Sequence, residues 1–120
     1  MKILIVDDST AMRRIVRRTL RQAGFGDHDV VEAENGLVAL EKVSSEVPDL
    51  VLADWNMPEM SGIEFLEALR GKGDNTTFGF ITSEGTDEMR QKAKDAGASF
   101  LLAKPFTADD MANTLKDYIK

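Results

Sequence analysis

The sequence predicts one α/β domain in which a doubly wound sheet of five parallel strands is covered by five helices. Short apolar runs alternate with segments of helical period along the chain of 120 residues, a pattern typical of parallel sheets with helices on both faces. The runs at about residues 2–7 and 49–54 are continuously apolar, as strands buried on both faces are. We therefore expect these two strands at the centre of the sheet.

The first helix is predicted to begin near Ser9 and to end at Gly24, because glycine commonly terminates helices. Its apolar face comprises Met12, Ile15, Val16, Leu20 and Ala23. Its opposite face carries five arginines, which are Arg13, Arg14, Arg17, Arg18 and Arg21.

The second strand, residues 29–33, leads into a predicted turn at Asn35 and Gly36. The helix after this turn would bury Leu37, Ala39, Leu40 and Val43. Pro48 marks the entry to the third strand, and Pro58 breaks the chain in the short loop that follows this strand.

Ser61 and Glu64 fit a capping box for the third helix, which ends in the turn of residues 71–74. The buried side of this helix would be Ile63, Leu66 and Leu69. Residues 78–82 are the predicted fourth strand.

A fourth helix over about residues 87–95 would be closed by Gly97, and residues 99–104 form the predicted fifth strand. Thr107 would cap the last helix. Since the chain stops where this helix ends, we expect residues 1–120 to be a single domain.

Composition excludes several classes of protein. Cysteine is absent and His28 is the only histidine, so neither a disulfide framework nor a thiolate or histidine metal site can form. The net charge of −6 argues against nucleic-acid and anionic-membrane surfaces and favours a basic segment on a protein partner. We accordingly interpret the arginine run as a solvated helix face. With no signal peptide and no membrane-spanning run, a cytoplasmic protein is expected.

Polar residues follow or end four of the predicted strands. These residues are Asp7 and Asp8, Asp54, Thr82 and Lys104. In an open parallel sheet, ligands bind beyond the carboxyl ends of the strands, so three carboxylates, a hydroxyl and an ammonium should converge there.

The converging carboxylates require a counterion. Two unit charges about 4 Å apart repel by roughly 4 kcal/mol at an effective dielectric constant near 20. Lys104 could offset one charge, and a divalent ion could be shared by the others. Because the available ligands are oxygens only, the sequence predicts one Mg²⁺ ion, with Mn²⁺ as a possible substitute.

Asp54 is the natural nucleophile of such a site. It stands alone at the end of a central strand, whereas Asp7 and Asp8 form a pair suited to holding the ion. A carboxylate oxygen beside Mg²⁺ can attack a phosphorus atom and form an acyl phosphate. Thr82 and Lys104 could donate hydrogen bonds to the phosphoryl oxygens.

These residues together resemble the motif set of the receiver domain of bacterial two-component response regulators, in the same order along the chain. The motifs are Val6-Asp7-Asp8, Asp54-Trp55-Asn56-Met57-Pro58 with Gly62 following, Thr82, and Lys104-Pro105-Phe106. The resemblance spans nearly all 120 residues. Within the family it is strongest to the stand-alone, CheY-like chemotaxis receivers, through Met12 to Arg17 and the motifs around Asp54 and Lys104.

The resemblance implies a role for each site residue. Asp54 would be the phosphoacceptor, and Asp8, Asp54 and the backbone carbonyl of Asn56 would bind Mg²⁺, with Asp7 positioning a water on the ion. Thr82, Lys104 and the backbone N–H of Ser83 would contact the phosphoryl group. Residues Asn56 and Glu84 would tune the lifetime of the acyl phosphate by analogy.

The resemblance also implies a flavodoxin-like strand order of 2-1-3-4-5, a cis peptide between Lys104 and Pro105, and the absence of an output domain.

One position departs from the family. The residue three before the lysine is typically aromatic and is coupled to the threonine, but here it is Leu101. Phe100 is adjacent, yet it should point to the opposite face because side chains alternate along a strand. The segment from Gly73 to Thr77 is also shorter than in chemotaxis relatives and lacks their proline. Switching should then rest on Thr82, the loop of residues 83–86 and the fourth helix.

The predicted function is a phosphorylation-activated switch that catalyses only its own modification and hydrolysis. A histidine kinase would donate the phosphoryl group, and the leading effector is the flagellar motor switch protein in chemotaxis. A phosphatase is a further candidate partner, and the protein is expected to be a monomer. The first alternative is a phosphorelay intermediate that passes the phosphoryl group to a histidine phosphotransfer domain.

A second alternative belongs to another class of protein, the Mg²⁺-dependent phosphohydrolases of the haloacid dehalogenase kind. These enzymes also use an aspartyl nucleophile at a strand end, but in an Asp-x-Asp motif near the start of the chain. Asp7 and Asp8 are contiguous, and no cap segment is inserted to shelter a substrate.

Overall fold

The computed structural model describes residues 1–119, in which five strands and five helices alternate. The strands are β1 (Lys2–Val6), β2 (Asp29–Ala33), β3 (Leu50–Asp54), β4 (Thr77–Thr82) and β5 (Phe100–Ala103). The helices are α1 (Thr10–Gln22), α2 (Gly36–Glu46), α3 (Gly62–Gly71), α4 (Asp87–Ala96) and α5 (Ala108–Leu115). Every predicted element is present, with ends that differ by one or two residues.

All strand pairs are parallel, and the sheet has the order β2-β1-β3-β4-β5. This is the predicted order, and β1 and β3 are interior strands as expected. Residues Leu4, Val51 and Phe80 of the interior strands are completely buried. A strand covered on both faces has no solvent-facing side, which is why these runs are continuously apolar.

Each face of the sheet packs against its own helices. On one face, buried residues of α2, α3 and α4 surround a cluster that includes Phe65 and Phe78. On the other face, α1 and α5 contribute Val16, Leu20 and Met111 to a second cluster. Phe65, which the sequence analysis did not assign to the core, is fully buried.

Two residues that were expected on buried helix faces are exposed. Leu37 is 48% exposed and Ile15 is 39% exposed. In α1 the buried stripe is Val16, Thr19 and Leu20, and the Thr19 hydroxyl is satisfied by donating to the Ile15 carbonyl at 2.7 Å. Ile15 therefore lies at the margin of the stripe rather than within it.

Capping side chains start all five helices. The predicted capping box of Ser61 and Glu64 is present, and Thr107 forms a second one with Asp110. Asn35 was expected to form a turn but acts as the N-cap of α2, where its side chain accepts a hydrogen bond from the Val38 N–H at 2.9 Å. Helix N-caps and turns favour the same residue types, so the sequence pattern does not distinguish these two roles for Asn35.

Side chains alternate along β5 as expected. Leu101 packs into the cluster beneath α2, α3 and α4, whereas Phe100 packs on the opposite face. There the Phe100 ring covers Gly79, its neighbour in β4, and leaves no room for a β-carbon. No helix among the described residues is long and apolar enough to cross a membrane.

Candidate functional site

The strand order brings four chain segments together at one end of the sheet. Asp7 follows β1, Asp54 ends β3, Thr82 ends β4, and Lys104 follows β5. Because β1, β3, β4 and β5 are consecutive and parallel, their carboxyl ends lie side by side. The register pairs Val6 with Ala53, so Asp7 follows at the level of Asp54.

Three carboxylates meet at this end of the sheet. One oxygen each from Asp7, Asp8 and Asp54 lies within 4.8 Å of the others. Asp7 is only 4% exposed, Asp54 is half-buried and Asp8 is exposed. The cluster therefore has a closed side against the sheet and an open side toward solvent.

Lys104 is the cation that faces the cluster. Its Nζ atom lies 3.6 Å from Asp7 Oδ2 and 3.6 Å from Asp54 Oδ1. One ammonium among three carboxylates leaves two negative charges without a counterion. A divalent cation would balance them, and three oxygen ligands with one side open suit Mg²⁺, which keeps several of its waters.

Burial makes the ionised form of the cluster costly. Desolvation raises the pKa of Asp7 and of Asp54 above the ordinary aspartate value, although the nearby Lys104 ammonium acts in the opposite direction. The negative charge of Asp8 raises both pKa values further. The same arrangement that resists ionisation in the absence of a metal favours the binding of a cation.

Hydrogen bonds hold Asp7 in place from two directions. The Ser9 N–H donates to Asp7 Oδ1 at 2.9 Å, and the Arg13 Nη1 group donates to the Asp7 carbonyl at 2.6 Å. Arg13 also donates through Nε to Glu32 Oε1 at 2.9 Å, and Arg17 pairs with the same carboxylate at 2.7 Å.

Arg13 is more buried than its position in the sequence predicts. It was assigned to a solvated face, but its side chain is only 14% exposed. The helical period of α1 places Arg13 on the polar side, and nothing in that pattern shows that the loop after β1 and the strand β2 lie within its reach.

The loop after Asp54 depends on Gly62. Its N–H donates to the Trp55 carbonyl at 2.8 Å, and a β-carbon at this position would collide with the Asp54 carbonyl and the Phe80 ring. The Trp55 ring packs on Phe80 with centroids 4.6 Å apart. Asn56 lies exposed in this loop, two residues after the predicted nucleophile.

Thr82 is completely buried at the end of β4. Its hydroxyl oxygen accepts a hydrogen bond from the Glu84 N–H at 3.3 Å, and its carbonyl accepts one from the Lys104 N–H at 2.7 Å. Within residues 1–119, no hydrogen bond joins Thr82 to the carboxylates. Ser83 is exposed beside it, and the peptide bond between Lys104 and Pro105 is cis.

The assembled groups are suited to accepting a phosphoryl group. The half-buried Asp54 could supply a nucleophilic oxygen, and Lys104 could supply a donor 3.6 Å from it. Asp7 and Asp8 could supply oxygen ligands for a hard cation.

Comparison with known proteins is consistent with this chemistry. The response regulator receiver domain family matches residues 3–116 of the chain. Sporulation initiation phosphotransferase F of Bacillus subtilis is 37% identical over 118 residues, which are 98% of this chain and 93% of that protein. Chemotaxis protein CheY-3 of Vibrio cholerae is 41% identical over 117 residues, which are 96% of this chain and 88% of that protein.

Among solved structures, the chemotaxis protein CheY4 of Vibrio cholerae superimposes with a TM-score of 0.85 at 36% sequence identity. The superposition covers 98% of this chain and 97% of that protein. The likeness therefore extends over both molecules almost entirely.

Proposed function

Because the chain belongs to the response regulator receiver domain family, we propose that it is a switch in which Asp54 accepts a phosphoryl group from a histidine kinase. Receiver domains are signalling switches rather than conventional enzymes, and phosphoaspartate and Mg²⁺ binding are typical of them. The observation that carries the proposal is the meeting of Asp7, Asp8, Asp54 and Lys104 at one end of the sheet.

In the proposed reaction, an oxygen of Asp54 attacks the phosphorus atom of a phosphohistidine. A P–O bond forms as the P–N bond breaks, and the histidine is regenerated on the kinase. Lys104 donates a charge-assisted hydrogen bond to the phosphoryl group, with the Thr82 hydroxyl and the Ser83 N–H as further donors. Hydrolysis of the same P–O bond by water returns the carboxylate.

The metal ligands in this proposal are Asp8, Asp54 and the backbone carbonyl of Asn56, with Asp7 holding a water on the ion. When bound, Mg²⁺ neutralises charge on the transferred phosphoryl group. The mutual proximity of the three carboxylates supports this assignment, and Mn²⁺ would be accepted by the same oxygen ligands.

An apolar surface beside the site supports docking of the phosphodonor. Met12, Ile15, Pro105 and Phe106 line a cavity of about 400 Å³ that Lys104 borders. Ile15 is exposed, so burial in the core does not account for an apolar side chain at this position. A helical histidine domain that covered this surface would bring its phosphohistidine toward Asp54.

Leu101 occupies the position at which chemotaxis receivers carry an aromatic residue. The proposed switch would therefore work without an aromatic partner for Thr82. The Arg90 Nη1 group donates to the Leu101 carbonyl at 3.1 Å, and Arg90 Nε donates to the Gly85 carbonyl at 3.4 Å. These bonds join α4 to the loop after Thr82 and to β5. A shift of Thr82 toward a phosphoryl group would move this loop and so repack α4.

Two destinations for the signal remain open, and the relatives include one of each kind. The leading proposal is chemotaxis, with the flagellar motor switch protein as effector, in line with the likeness to CheY-3. The second is a phosphorelay, in line with the likeness to sporulation initiation phosphotransferase F. Both use the same site and differ in what receives the signal.

The phosphorylation step is tested by labelling with radioactive acetyl phosphate in the presence of Mg²⁺. We expect one phosphoryl group per chain, no label in Asp54→Asn, and full label in Asp27→Asn, a matched change at an exposed loop position. Continuous turnover of a phosphomonoester with no stable adduct would instead favour the haloacid dehalogenase class.

The destination is tested by two assays on the activated protein. Capture from native cell extract with and without beryllofluoride should retain the motor switch protein only in the activated state. Transfer of label from Asp54 to an added histidine phosphotransfer domain would support the relay. If neither partner responds to activation, the proposed outputs are both wrong.

A further inference from the structure

An acidic groove lies between the loop after β3 and helix α4, next to the candidate phosphorylation site but distinct from it. It encloses about 730 Å³. Its apolar contacts come from Trp55 and Met89, both half-buried, so that each presents part of its side chain to the opening. Its acidic side chains are Glu84, Asp87, Glu88 and Asp95, and all four residues are exposed.

The charge of the groove is strongly unbalanced. Lys92 is the basic residue among those that line it, against four carboxylates. In residues 1–119 the ion pairs are made by Lys2, Arg13, Arg17 and Lys104, none of which reaches this groove. The acidic side chains therefore face solvent without a cationic partner in the described part of the chain.

We propose that this groove binds a basic, amphipathic segment of a protein partner. Lysine or arginine side chains of that segment would pair with the groove carboxylates, and one of its apolar side chains would pack on Trp55 and Met89. A cation over the face of an indole gains a further attraction. Charge alone would attract any cation, whereas the apolar floor selects a segment with both characters.

The position of the groove gives such a partner access to the switch. Trp55 directly follows Asp54, and Glu84 donates its N–H to the Thr82 hydroxyl oxygen. A bound segment would thus contact two loops that carry the proposed phosphoryl chemistry. The groove contains neither Asp54 nor Lys104, so its binding does not depend on the proposed function.

The test uses the 120-residue chain and a synthetic 12-residue peptide of lysine, leucine and alanine. Binding is followed through the emission of Trp55, the one tryptophan of the chain. We expect saturable binding, retained in Asp54→Asn. A peptide with glutamate in place of lysine should not bind. A peptide with alanine in place of leucine should bind at least about tenfold more weakly, because its smaller side chains bury less apolar surface against Trp55 and Met89.

A pair of double variants separates local charge from total charge. Glu88→Lys with Asp95→Lys should weaken binding by about tenfold or more, because each reversal replaces an attraction with a repulsion. Glu41→Lys with Glu67→Lys makes the same change of net charge at exposed positions outside the groove and should have little effect. Equal weakening by both double variants would overturn the proposal.

Chemical-shift mapping on the unaltered protein provides a test that needs no variant. Amide signals of Trp55, Glu88 and Asp95 should move with added lysine–leucine peptide and reach a plateau. Shifts centred elsewhere, or no binding at millimolar peptide, would show that the groove is not the docking surface. Because acetyl phosphate labelling is measured separately, failure of the groove and failure of phosphorylation give different results.

Discussion

Asp54 occupies a position where ionisation and burial oppose each other. Its side chain is 13% exposed, it faces two other carboxylates, and Lys104 is the ammonium that approaches it. Desolvation dominates and raises the pKa of Asp54. In the folded protein this carboxyl group therefore holds its proton more tightly than it does in the unfolded chain.

The raised pKa of Asp54 makes the free energy of unfolding depend on pH. Between the ordinary pKa of 3.8 and the raised value, the folded state binds more protons than the unfolded state, so the free energy of unfolding falls as pH rises through that window. Without Mg²⁺, Asp54→Asn should thus be more stable than the unaltered protein at neutral pH, and the difference should shrink on acidification.

Urea unfolding at several pH values in the presence of a chelator measures this difference. Added Mg²⁺ should reverse the sign of this stability difference, because aspartate at position 54 is a negatively charged ligand and asparagine is not. A difference that does not vary with pH would contradict the raised pKa of Asp54.

Arg13 acts on the site through another residue. Its hydrogen bond to the Asp7 carbonyl and its ion pair with Glu32 connect the loop after β1, which carries Asp7 and Asp8, to β2. Arg13→Met keeps much of the side-chain volume but removes these donors, so the affinity for Mg²⁺ should fall by about tenfold. Trp55 emission during a Mg²⁺ titration measures this affinity.

Two further variants give this prediction its controls. Arg14→Met alters an exposed neighbour and should leave Mg²⁺ affinity unchanged. Arg13→Lys retains the charge and should restore part of the affinity. If Arg13→Met lowers the free energy of unfolding and leaves Mg²⁺ affinity intact, Arg13 is a structural residue only.

At the scale of elements, helix ends were the features most readily predicted. Gly97 closes α4 with φ at 102°, a left-handed conformation that glycine adopts without a steric penalty. Helix α2 ends differently. Its C-cap is Val47, with φ at 47° and ψ at 62°, and this residue is 74% exposed. A β-branched residue is unfavourable in that conformation.

Val47→Gly should therefore raise the free energy of unfolding by up to about 1 kcal/mol, since relief of the left-handed strain outweighs the added freedom of the unfolded chain. Chemical denaturation measures the change. Ser44→Gly, at an exposed position inside the same helix, should lower stability by about 0.5 kcal/mol. Loss of stability in both variants would show that Val47 is not strained.

Arg70 shows how an element boundary can depend on distant chain. Its guanidinium donates to the carbonyls of Asp74, Thr76 and Gly97, joining the turn after α3 to the turn after α4. The segment before β4 is the one predicted to be shorter than in chemotaxis relatives. These three bonds hold it against the molecule, and no local pattern in the sequence indicated them.

For the whole molecule, the site is a product of topology. Asp7, Asp54 and Lys104 come from strands separated by about 50 residues of chain from one to the next, and they meet because β1, β3, β4 and β5 are adjacent. A ligand that binds these three segments binds only the folded chain. Its binding energy therefore adds to the stability of the fold.

Mg²⁺ should consequently stabilise the whole domain. At a concentration ten times its dissociation constant, the free energy of unfolding should rise by about 1.4 kcal/mol. Thermal unfolding with and without the ion measures this effect. Asp8→Asn, which alters an exposed residue proposed as a metal ligand, should abolish the increase, whereas Asp27→Asn should retain it. An increase that survives in Asp8→Asn would place the ion elsewhere.

Local patterns in the chain were sufficient for the fold class, the order of elements and the residues at the strand ends. Apolar runs, caps and glycine stops act over a few residues, and so they can be read without knowledge of neighbours in space. The strand order came from the resemblance of these motifs to a known family. The roles of Asp7, Asp8, Asp54, Thr82 and Lys104 were first inferred from the chemistry of residues at strand ends, and the resemblance then made them more specific.

Tertiary packing decided what those patterns left open. The exposure of Ile15 and Leu37, the burial of Arg13 and the acidic groove beside Trp55 each depend on which surfaces face one another. The helical period predicts on which side of a helix a side chain lies, but contacts across the fold decide whether that side chain is buried. Only the folded chain brings those distant residues within reach.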